Sequence, residues 1–219
     1  TRREMIVLTD TSVFSMQFIG PPFTFGINQL ASSITVRGFN TAVAVGDAVF
    51  WMGYDRFYIY DGRVQVIPCS VRDHVFQDFN ETQSDKVYAG VNSAFGEVFW
   101  FYPSATNAVA NGGTGENDKY VVYNYDQKIW YVGSLARSSW IDRGVYQYPM
   151  ATDSNLVYNH EKGNDNDGTA FTSFIESSPI DVQDGDQFVF LRRMIPDISF
   201  ENSDSNISND NKQAVLSLK

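Results

Sequence analysis

The sequence predicts an all-β protein made of β-propeller-like blades of antiparallel strands, with one short helix. Two observations support this class: an aromatic-rich composition and a hairpin pattern that recurs along the chain. Aromatic residues make up 15 % of the 219 residues, mainly as Phe and Tyr, and such side chains suit the pleated, half-buried surface of a sheet. A β-sandwich with coincidentally similar hairpins is the alternative.

The recurring pattern is a short apolar strand, a polar turn with an aspartate, and an aromatic-rich strand. The turn aspartates are Asp10, Asp55, Asp118 and Asp153, at intervals of 45, 63 and 35 residues. The long interval contains a glycine-rich insertion at residues 103–117, and its removal brings the interval back near 45. A period of about 40 to 50 residues with several strands per unit is typical of propeller blades, because one small sheet cannot bury both of its faces alone.

Turn residues predict further hairpins within these units. Asp61 and Gly62 lie between two alternating strands, and Asp-Gly at this place predicts a type I′ turn with two positive φ angles. Residues 125–128 occupy the equivalent place later in the chain but contain no glycine, so we expect another turn type there. Pro21 and Pro22 cannot lie in a central strand, which predicts a loop over residues 20–26.

One helix is predicted directly after Ser70. Ser70 and Asp73 form a capping-box pattern, in which the serine side chain caps the first turn. Val71, Val75 and Phe79 then fall on one helical face.

The predicted organisation has two parts. Residues 1–170 should form the blade-like repeats, and residues 171–219 should form closing strands with an exposed polar loop at about 201–212, which is rich in Asn, Ser and Asp. The chain does not begin with Met, and it stops in an alternating, strand-like stretch. We therefore expect it to be a segment of a longer protein.

Charge and cysteine content exclude several classes of protein. The net charge of −10 argues against a general nucleic-acid-binding or membrane-binding face, since both need clustered Lys and Arg. Acidity also simply favours solubility. The single cysteine, Cys69, excludes an internal disulfide and a cysteine-based zinc site. No stretch approaches the roughly 20 apolar residues of a membrane span, and no signal peptide is visible.

The sequence predicts no catalytic, cofactor-binding or metal-binding residues, and no cofactor. His74 and His160 are the only histidines, and no Gly-x-Ser-x-Gly motif occurs. The best metal candidate is a polar run ending in a glycine, formed by Asn164, Asp165, Asn166, Asp167 and Gly168. Aligned as an EF-hand, this run places Gly163 at the first ligand position and Phe174 at the twelfth, where acidic residues are needed. A polar connecting loop is the simpler interpretation.

Two segments resemble a known family when they are taken together in order. They are residues 10–26 (DTSVFSMQFIGPPFTFG) and residues 49–68 (VFWMGYDRFYIYDGRVQVIP). Later stretches, at residues 175–178 and from residue 184 to residue 197, resemble the closing strands of the same family. The family is that of the tail nozzle or head-to-tail hub proteins of short-tailed bacteriophages.

This resemblance implies a non-enzymatic virion protein of the phage tail, synthesised in the host cytoplasm. It implies a propeller-containing subunit of a homo-oligomeric ring, a hexamer, below the portal and its adaptor. The implied partners are other copies of the chain, the portal or adaptor ring, tail fibre or tailspike proteins, and genomic DNA. The DNA would pass through the ring without sequence-specific binding, and no membrane is involved. Repulsion between an acidic channel and DNA phosphates would let the genome slide.

Two other functions stay open. A glycan-binding or glycan-degrading tail propeller would contact sugars on the host surface, although the sequence contains no sialidase-type Asp-box. A general interaction module with the same fold is the third possibility, because fold alone does not determine function. We expect Trp51, Trp100 and Trp130 to lie in blade cores, and Trp140 to lie at an intermolecular contact.

Overall fold

A computed structural model describes residue 1, residues 4–163, and residues 168–169, 192–193, 195 and 197. The chain divides into two compact units, Thr1–Lys162 and Gly163–Lys219. The predicted loop at 201–212 and the run from Asn164 to Asp167 lie outside the described residues, as do almost all of the predicted closing strands. Nearly all of the described residues belong to the first unit.

The described residues of this unit form four antiparallel sheets, each a meander in which strands follow one another in chain order. The first sheet contains β1 (Met5–Leu8), β2 (Ser12–Phe18) and β3 (Phe25–Ser32). The second contains β4 (Ala42–Val45), β5 (Ala48–Met52), β6 (Phe57–Tyr60) and β7 (Val64–Ile67). The third contains β8 (Tyr88–Asn92), β9 (Glu97–Tyr102), β10 (Lys119–Asn124) and β11 (Ile129–Ser134). The fourth contains β12 (Ser139–Ile141), β13 (Met150–Asp153) and β14 (Leu156–Asn159).

The predicted all-β class is confirmed, and none of the described sheets closes into a barrel. The recurring sequence pattern corresponds to the hairpins β1–β2, β5–β6, β9–β10 and β13–β14. In each case the two strands pair directly, which explains why a local pattern is sufficient to find them.

The sheets stack face to face in chain order. Strand β5 shows how this works, because its successive side chains point to opposite faces. Trp51 packs against Val13 and the first sheet, whereas Phe50 and Met52 pack against the third sheet in the largest apolar cluster. The third sheet likewise uses Trp100 toward the second sheet. Both faces of the two central sheets are therefore covered by their neighbours.

The first strands of the second, third and fourth sheets lie side by side, since β4 contacts β8 and β8 contacts β12. The backbone N–H of Ala89 donates to the carbonyl oxygen of Asn40 at 2.7 Å. The indole N–H of Trp100 donates to the carbonyl oxygen of Thr41 at 2.9 Å. Four stacked meanders, three of them with adjacent first strands, resemble propeller blades, and a sandwich of two sheets does not describe them.

The predicted helix is present, but its predicted cap is wrong. Helix α1 spans Arg72–Gln77, its N-cap is Val71, and no side chain caps it. Val75 and Phe79 are buried as expected. A kinked 3₁₀ segment, Glu81–Lys86, follows. In the residues that the structure describes, no helix combines the length and apolar character needed to cross a bilayer.

The β6–β7 hairpin is present, but its turn is not type I′. Gly62 has φ +108°, whereas Asp61 does not have a positive φ, and three residues rather than two separate the strands. The β10–β11 turn does differ in type, because Lys128 adopts φ +59° there. The predicted loop around Pro21 and Pro22 ends earlier than expected, since β3 begins at Phe25.

The insertion at residues 103–117 is an ordered loop held by its own polar groups. Asn107 is its centre: the amide nitrogen donates to Thr114 Oγ1 and to the carbonyl oxygen of Glu116, both at 3.0 Å. The amide oxygen of Asn107 accepts the backbone N–H of Thr114 at 3.1 Å. At the base of the loop, Asp118 accepts the backbone N–H and the hydroxyl of Ser104, both at 2.7 Å.

Candidate functional site

The outer face of the first sheet, meaning the face turned away from the second sheet, is almost entirely apolar. The strand register places cross-strand partners on the same face, and Val13 lies on the opposite, buried face. The outer face consists of the apolar residues Met5, Val7, Phe14, Met16, Phe18, Phe25 and Ile27, with Gln29, Ser12 and Ser32 at one end. Phe18 is 71 % exposed and Ile27 is 66 % exposed.

Ile19 and Phe23 are both largely exposed in the β2–β3 loop, but Ile19 lies over Gly26, on the face opposite to that of Phe18. The loop as a whole therefore does not continue the outer face. At its base, the rings of Phe18 and Phe25 meet edge to face with centroids 5.9 Å apart. A contiguous apolar patch of more than a few hundred Å² is rare on a monomer and marks a surface that associates. The outer face of the first sheet is therefore a candidate protein–protein interface.

The opposite end of the stack has a different composition. On the outer face of the fourth sheet, Ile141 pairs with Met150 and Val157 pairs with Thr152. Ile141 and Val157 are exposed, and Asn159 lies on the same face. This face combines apolar and polar groups, whereas the outer face of the first sheet is almost purely apolar.

A cleft of about 340 Å³ opens between the third and fourth sheets. Its walls combine aromatic and aliphatic groups with two carboxylates and one imidazole. The lining residues are Phe95, Glu97, Phe99, Tyr120, Tyr131, Leu135, Trp140, His160 and Glu161. Strands β9, β10, β11 and β12 supply most of them, and the segment after β14 supplies the last two.

Trp140 forms the wall that joins the two sheets. Its ring stacks on Phe99 with centroids 5.2 Å apart, and its indole N–H donates to the carbonyl oxygen of Val91 at 2.7 Å. Trp140 is only 6 % exposed, so the expectation that it lies at an intermolecular contact is wrong. A strand of three residues within an irregular stretch is sufficient to bury it.

The other three tryptophans lie in or against the core. Trp51 and Trp100 are fully buried, and Trp130 packs against the central cluster while partly buried. The prediction that these three residues belong to the sheet cores is confirmed.

Glu97 is the central carboxylate of the cleft. It accepts a hydrogen bond from the hydroxyl of Tyr131. Burial raises the pKa of Glu97 above its ordinary value, and the nearby negative charge of Glu161 adds to the rise. Glu161 accepts the side-chain amide of Asn92 at 3.2 Å. Within the described part of the chain, no Lys or Arg pairs with either glutamate.

Asn92 adds a further polar atom that lacks a partner. The residue is fully buried in β8, and its amide nitrogen is used by Glu161. Its amide oxygen has no hydrogen-bond partner among the described residues. Buried polar atoms are almost always satisfied in folded proteins, so Asn92 is unusual, although it does not itself line the cleft.

His160 is held as a neutral hydrogen-bond acceptor. Burial lowers the pKa of His160 to about 4, and the nearby charge of Arg137 contributes. Arg137 Nε donates to His160 Nε2 at 2.9 Å, and the Arg137 guanidinium lies over the ring of Tyr158 at 4.4 Å. Because Arg137 occupies the imidazole lone pair, His160 is poorly placed to act as a general base. His74 lies exposed on helix α1.

Metal and thiol chemistry find little support in the described residues. They contain no group of three or more His, Cys, Asp or Glu side chains that could hold a metal ion. The candidate calcium run lies outside them, apart from Gly168. Burial raises the pKa of the Cys69 thiol to about 11, so this cysteine is a poor nucleophile at neutral pH.

No direct signal for the cleft exists in the sequence, because the lining residues are dispersed from Phe95 to Glu161. One clue is present: Glu97 begins an otherwise apolar strand that is buried on both faces. A scan of the sequence against protein-family models and a search of curated proteins find no match.

Proposed function

We propose that this chain is a structural virion protein, a subunit of the ring-shaped tail nozzle or hub of a short-tailed phage. The ring would form part of the DNA exit channel and help to retain packaged DNA. The supporting observation is the apolar outer face of the first sheet, which needs a protein partner to be covered. Residues 10–26, which resemble the nozzle family, form the hairpin that contributes Phe18, Phe25 and Ile27 to this face.

A second copy of the same chain is the partner that the architecture favours. Within the chain, each sheet covers the face of the one before it. Packing the fourth sheet of one copy on the first sheet of the next would continue the same arrangement between subunits. Such a head-to-tail contact is heterologous and closes into a ring when the rotation permits. We propose a hexamer on the basis of the family resemblance.

The remaining partners follow from the same proposal. The ring would sit below the portal or its adaptor and carry tail fibres or tailspikes. Genomic DNA would pass through it, and a net charge of −10 per chain would repel the phosphates and prevent adhesion. In this proposal the protein is not an enzyme, does not involve a membrane, and resides in the virion tail.

Native mass spectrometry with negative-stain imaging tests the proposal. The wild-type chain should form closed rings with a central hole. The variant Phe18→Ser/Ile27→Thr should remain monomeric with an unchanged circular dichroism spectrum, because it removes apolar contact area without touching the core. Val109→Ser is the matched control, since Val109 is 65 % exposed but lies in the insertion of the third sheet, outside both proposed contact faces. A wild-type chain that stays monomeric at its highest soluble concentration would contradict the ring-closure proposal.

Glycan binding is a second candidate because the cleft combines aromatic rings with carboxylates. Trp140 is already stacked on Phe99, so a sugar would have to stack on Phe95, which is 52 % exposed at the rim. Binding to a glycan array that is lost in Phe95→Ala would support this function. Array binding that is unchanged in that variant would argue against the cleft as the glycan site.

A further inference from the structure

The cleft between the third and fourth sheets carries two carboxylates without a compensating positive charge. Glu97 and Glu161 both line it, and each accepts a hydrogen bond from a neutral donor, Tyr131 and Asn92 respectively. Glu97 is partly buried and Glu161 is exposed. A carboxylate that loses part of its hydration without gaining a positive partner favours the approach of a cation, and Glu97 is such a group. Glu161 lies close enough to add its negative charge.

The nearest internal cation does not fill this role. The Arg137 guanidinium donates to His160 and to the carbonyl oxygen of Ala136, and it lies over the ring of Tyr158. Its contacts therefore hold it on the far side of the imidazole. Among the described residues neither glutamate therefore has a positive partner, and an external cation would supply one.

The remaining walls indicate what kind of cation fits. A metal ion prefers several oxygen ligands, but the cleft supplies only two carboxylates and is otherwise lined mainly by rings. The aromatic lining residues include Phe95, Tyr120 and Tyr131. Aromatic faces attract organic cations, and rings combined with carboxylates are the usual means of recognising ammonium groups. The volume of about 340 Å³ lies at the lower end of the range for small-molecule sites.

We propose that this cleft binds a small ligand through an organic ammonium group, with Glu97 as the principal counter-charge and Glu161 as the second. The rings of Phe95, Tyr120 and Tyr131 surround the ligand, and Trp140 forms the floor. This assignment does not depend on ring assembly. The ammonium group can belong to a small quaternary amine or to an amino sugar.

The affinity should depend on pH through the charge of Glu97. Because burial raises the pKa of Glu97, this carboxyl group loses its charge at a higher pH than an exposed glutamate does, and affinity should increase as the pH rises and the carboxylate ionises. The other titratable groups around the cleft are Tyr120, Tyr125, Tyr131, His160 and Glu161, with Arg137 behind the imidazole. Burial raises the pKa of both Tyr120 and Tyr131, so these phenols stay neutral.

Isothermal titration calorimetry with matched ligands tests the proposal. Choline should bind, and its neutral isostere 3,3-dimethylbutan-1-ol should not. Glucosamine, which carries an ammonium group, is compared with N-acetylglucosamine, which is neutral, as the corresponding pair of sugars. Binding of glucosamine but not of choline would identify an amino sugar as the source of the ammonium group, and the reverse would identify a quaternary amine.

Glu97→Gln should weaken binding of the ammonium ligand by about tenfold or more, which corresponds to the loss of one desolvated charge contact. Asp47→Asn is the matched control, because it removes the same charge from an exposed turn and should leave affinity unchanged. Phe95→Leu is a second variant that removes a rim ring without altering charge, and it should also weaken binding. Equal binding of choline and its neutral isostere, or full affinity in Glu97→Gln, would overturn the proposal, as would the absence of binding by both ammonium ligands.

Discussion

The ring of Trp140 occupies the space that a side chain on Gly90 would need. A Cβ atom built on Gly90 would lie 2.5 Å from Cδ1 of Trp140 and 2.6 Å from its Cγ. The glycine thus lets β12 pack closely on β8 and positions one wall of the cleft. The tryptophan is fixed on its other side by Phe99, so it has little freedom to move away.

Gly90→Ala should therefore destabilise the protein by about 1–3 kcal/mol, the usual cost of overpacking a core. Gly144→Ala is the control, because nothing lies within 4 Å of a Cβ at that position and its φ is not positive. Urea denaturation followed by tryptophan fluorescence measures the difference. Equal urea midpoints for the two variants would show that β8 and β12 can move apart without loss of unfolding free energy.

Arg37 is a buried cation that ties the second sheet to the segment after helix α1. It is 4 % exposed, its Nη1 pairs with Glu81 at 2.5 Å, and its Nε donates to the carbonyl oxygen of Gly53 at 3.2 Å. The guanidinium carbon lies 3.9 Å from the centre of the Phe79 ring.

Arg37→Lys should cost about 2 kcal/mol of unfolding free energy, because an ammonium group cannot reproduce the planar, multidirectional contacts of guanidinium. Arg56→Lys changes an exposed arginine that pairs with its neighbour Asp55, and it should have little effect. Thermal unfolding of both variants under the same conditions provides the comparison. An Arg37→Lys variant as stable as the Arg56→Lys variant would contradict this account.

The partly buried imidazole of His160 predicts a loss of stability in acid. Its pKa in the folded protein is about 4, against an ordinary value of 6.5. Between these values the unfolded chain binds a proton that the folded chain does not, so stability falls as the pH decreases through this window. His160→Gln removes the titrating group and should remove that part of the pH dependence.

Urea midpoints of the wild type and His160→Gln, measured from about pH 7.5 down to about pH 5, check this prediction. The difference between the two proteins should move in favour of the variant as the pH falls. A constant difference across the range would mean that His160 titrates alike in both states. The carboxylates, including Glu97, remain in both proteins, so they cancel to first order.

Asn107 should be the residue that keeps the loop at residues 103–117 in its ordered conformation. Asn107→Ala removes three hydrogen bonds to Thr114 and Glu116. We expect cleavage within the loop by a non-specific protease to accelerate by about tenfold, because local opening becomes more frequent. Asn155→Ala, in the exposed β13–β14 turn, is the control. Mass spectrometry of the fragments locates the cut. An unchanged cleavage rate would mean that contacts other than those of Asn107 stabilise the loop.

The features that the sequence predicts correctly depend on residues close together in the chain. The four hairpins around Asp10, Asp55, Asp118 and Asp153 can be found because strand pattern and turn chemistry are local properties. The helix around Val75 can be found for the same reason. The details of its start cannot, since Val71 rather than Ser70 occupies the N-cap.

Features that depend on packing between sheets could not be predicted. The cleft brings Glu97 near Glu161, and no local pattern reports that approach. The prediction for Trp140 is wrong because the irregular residues around it resemble a loop, while its burial results from the absence of a side chain on Gly90, which lies in another sheet. The predicted type I′ turn at Asp61 is wrong because three residues, one more than the Asp-Gly signal implies, separate the two strands.

Because the sheets stack in chain order, each sheet of the described unit is held in place by contacts with the sheets directly next to it. Each apolar cluster joins one sheet only to the next, so the loss of an end sheet exposes one interface and leaves the others intact. Stability in such linear arrays behaves approximately as a sum of unit and interface contributions. A chain of this kind can gain or lose a terminal sheet during evolution without redesign of its interior, and only the exposed end must then find a new neighbour.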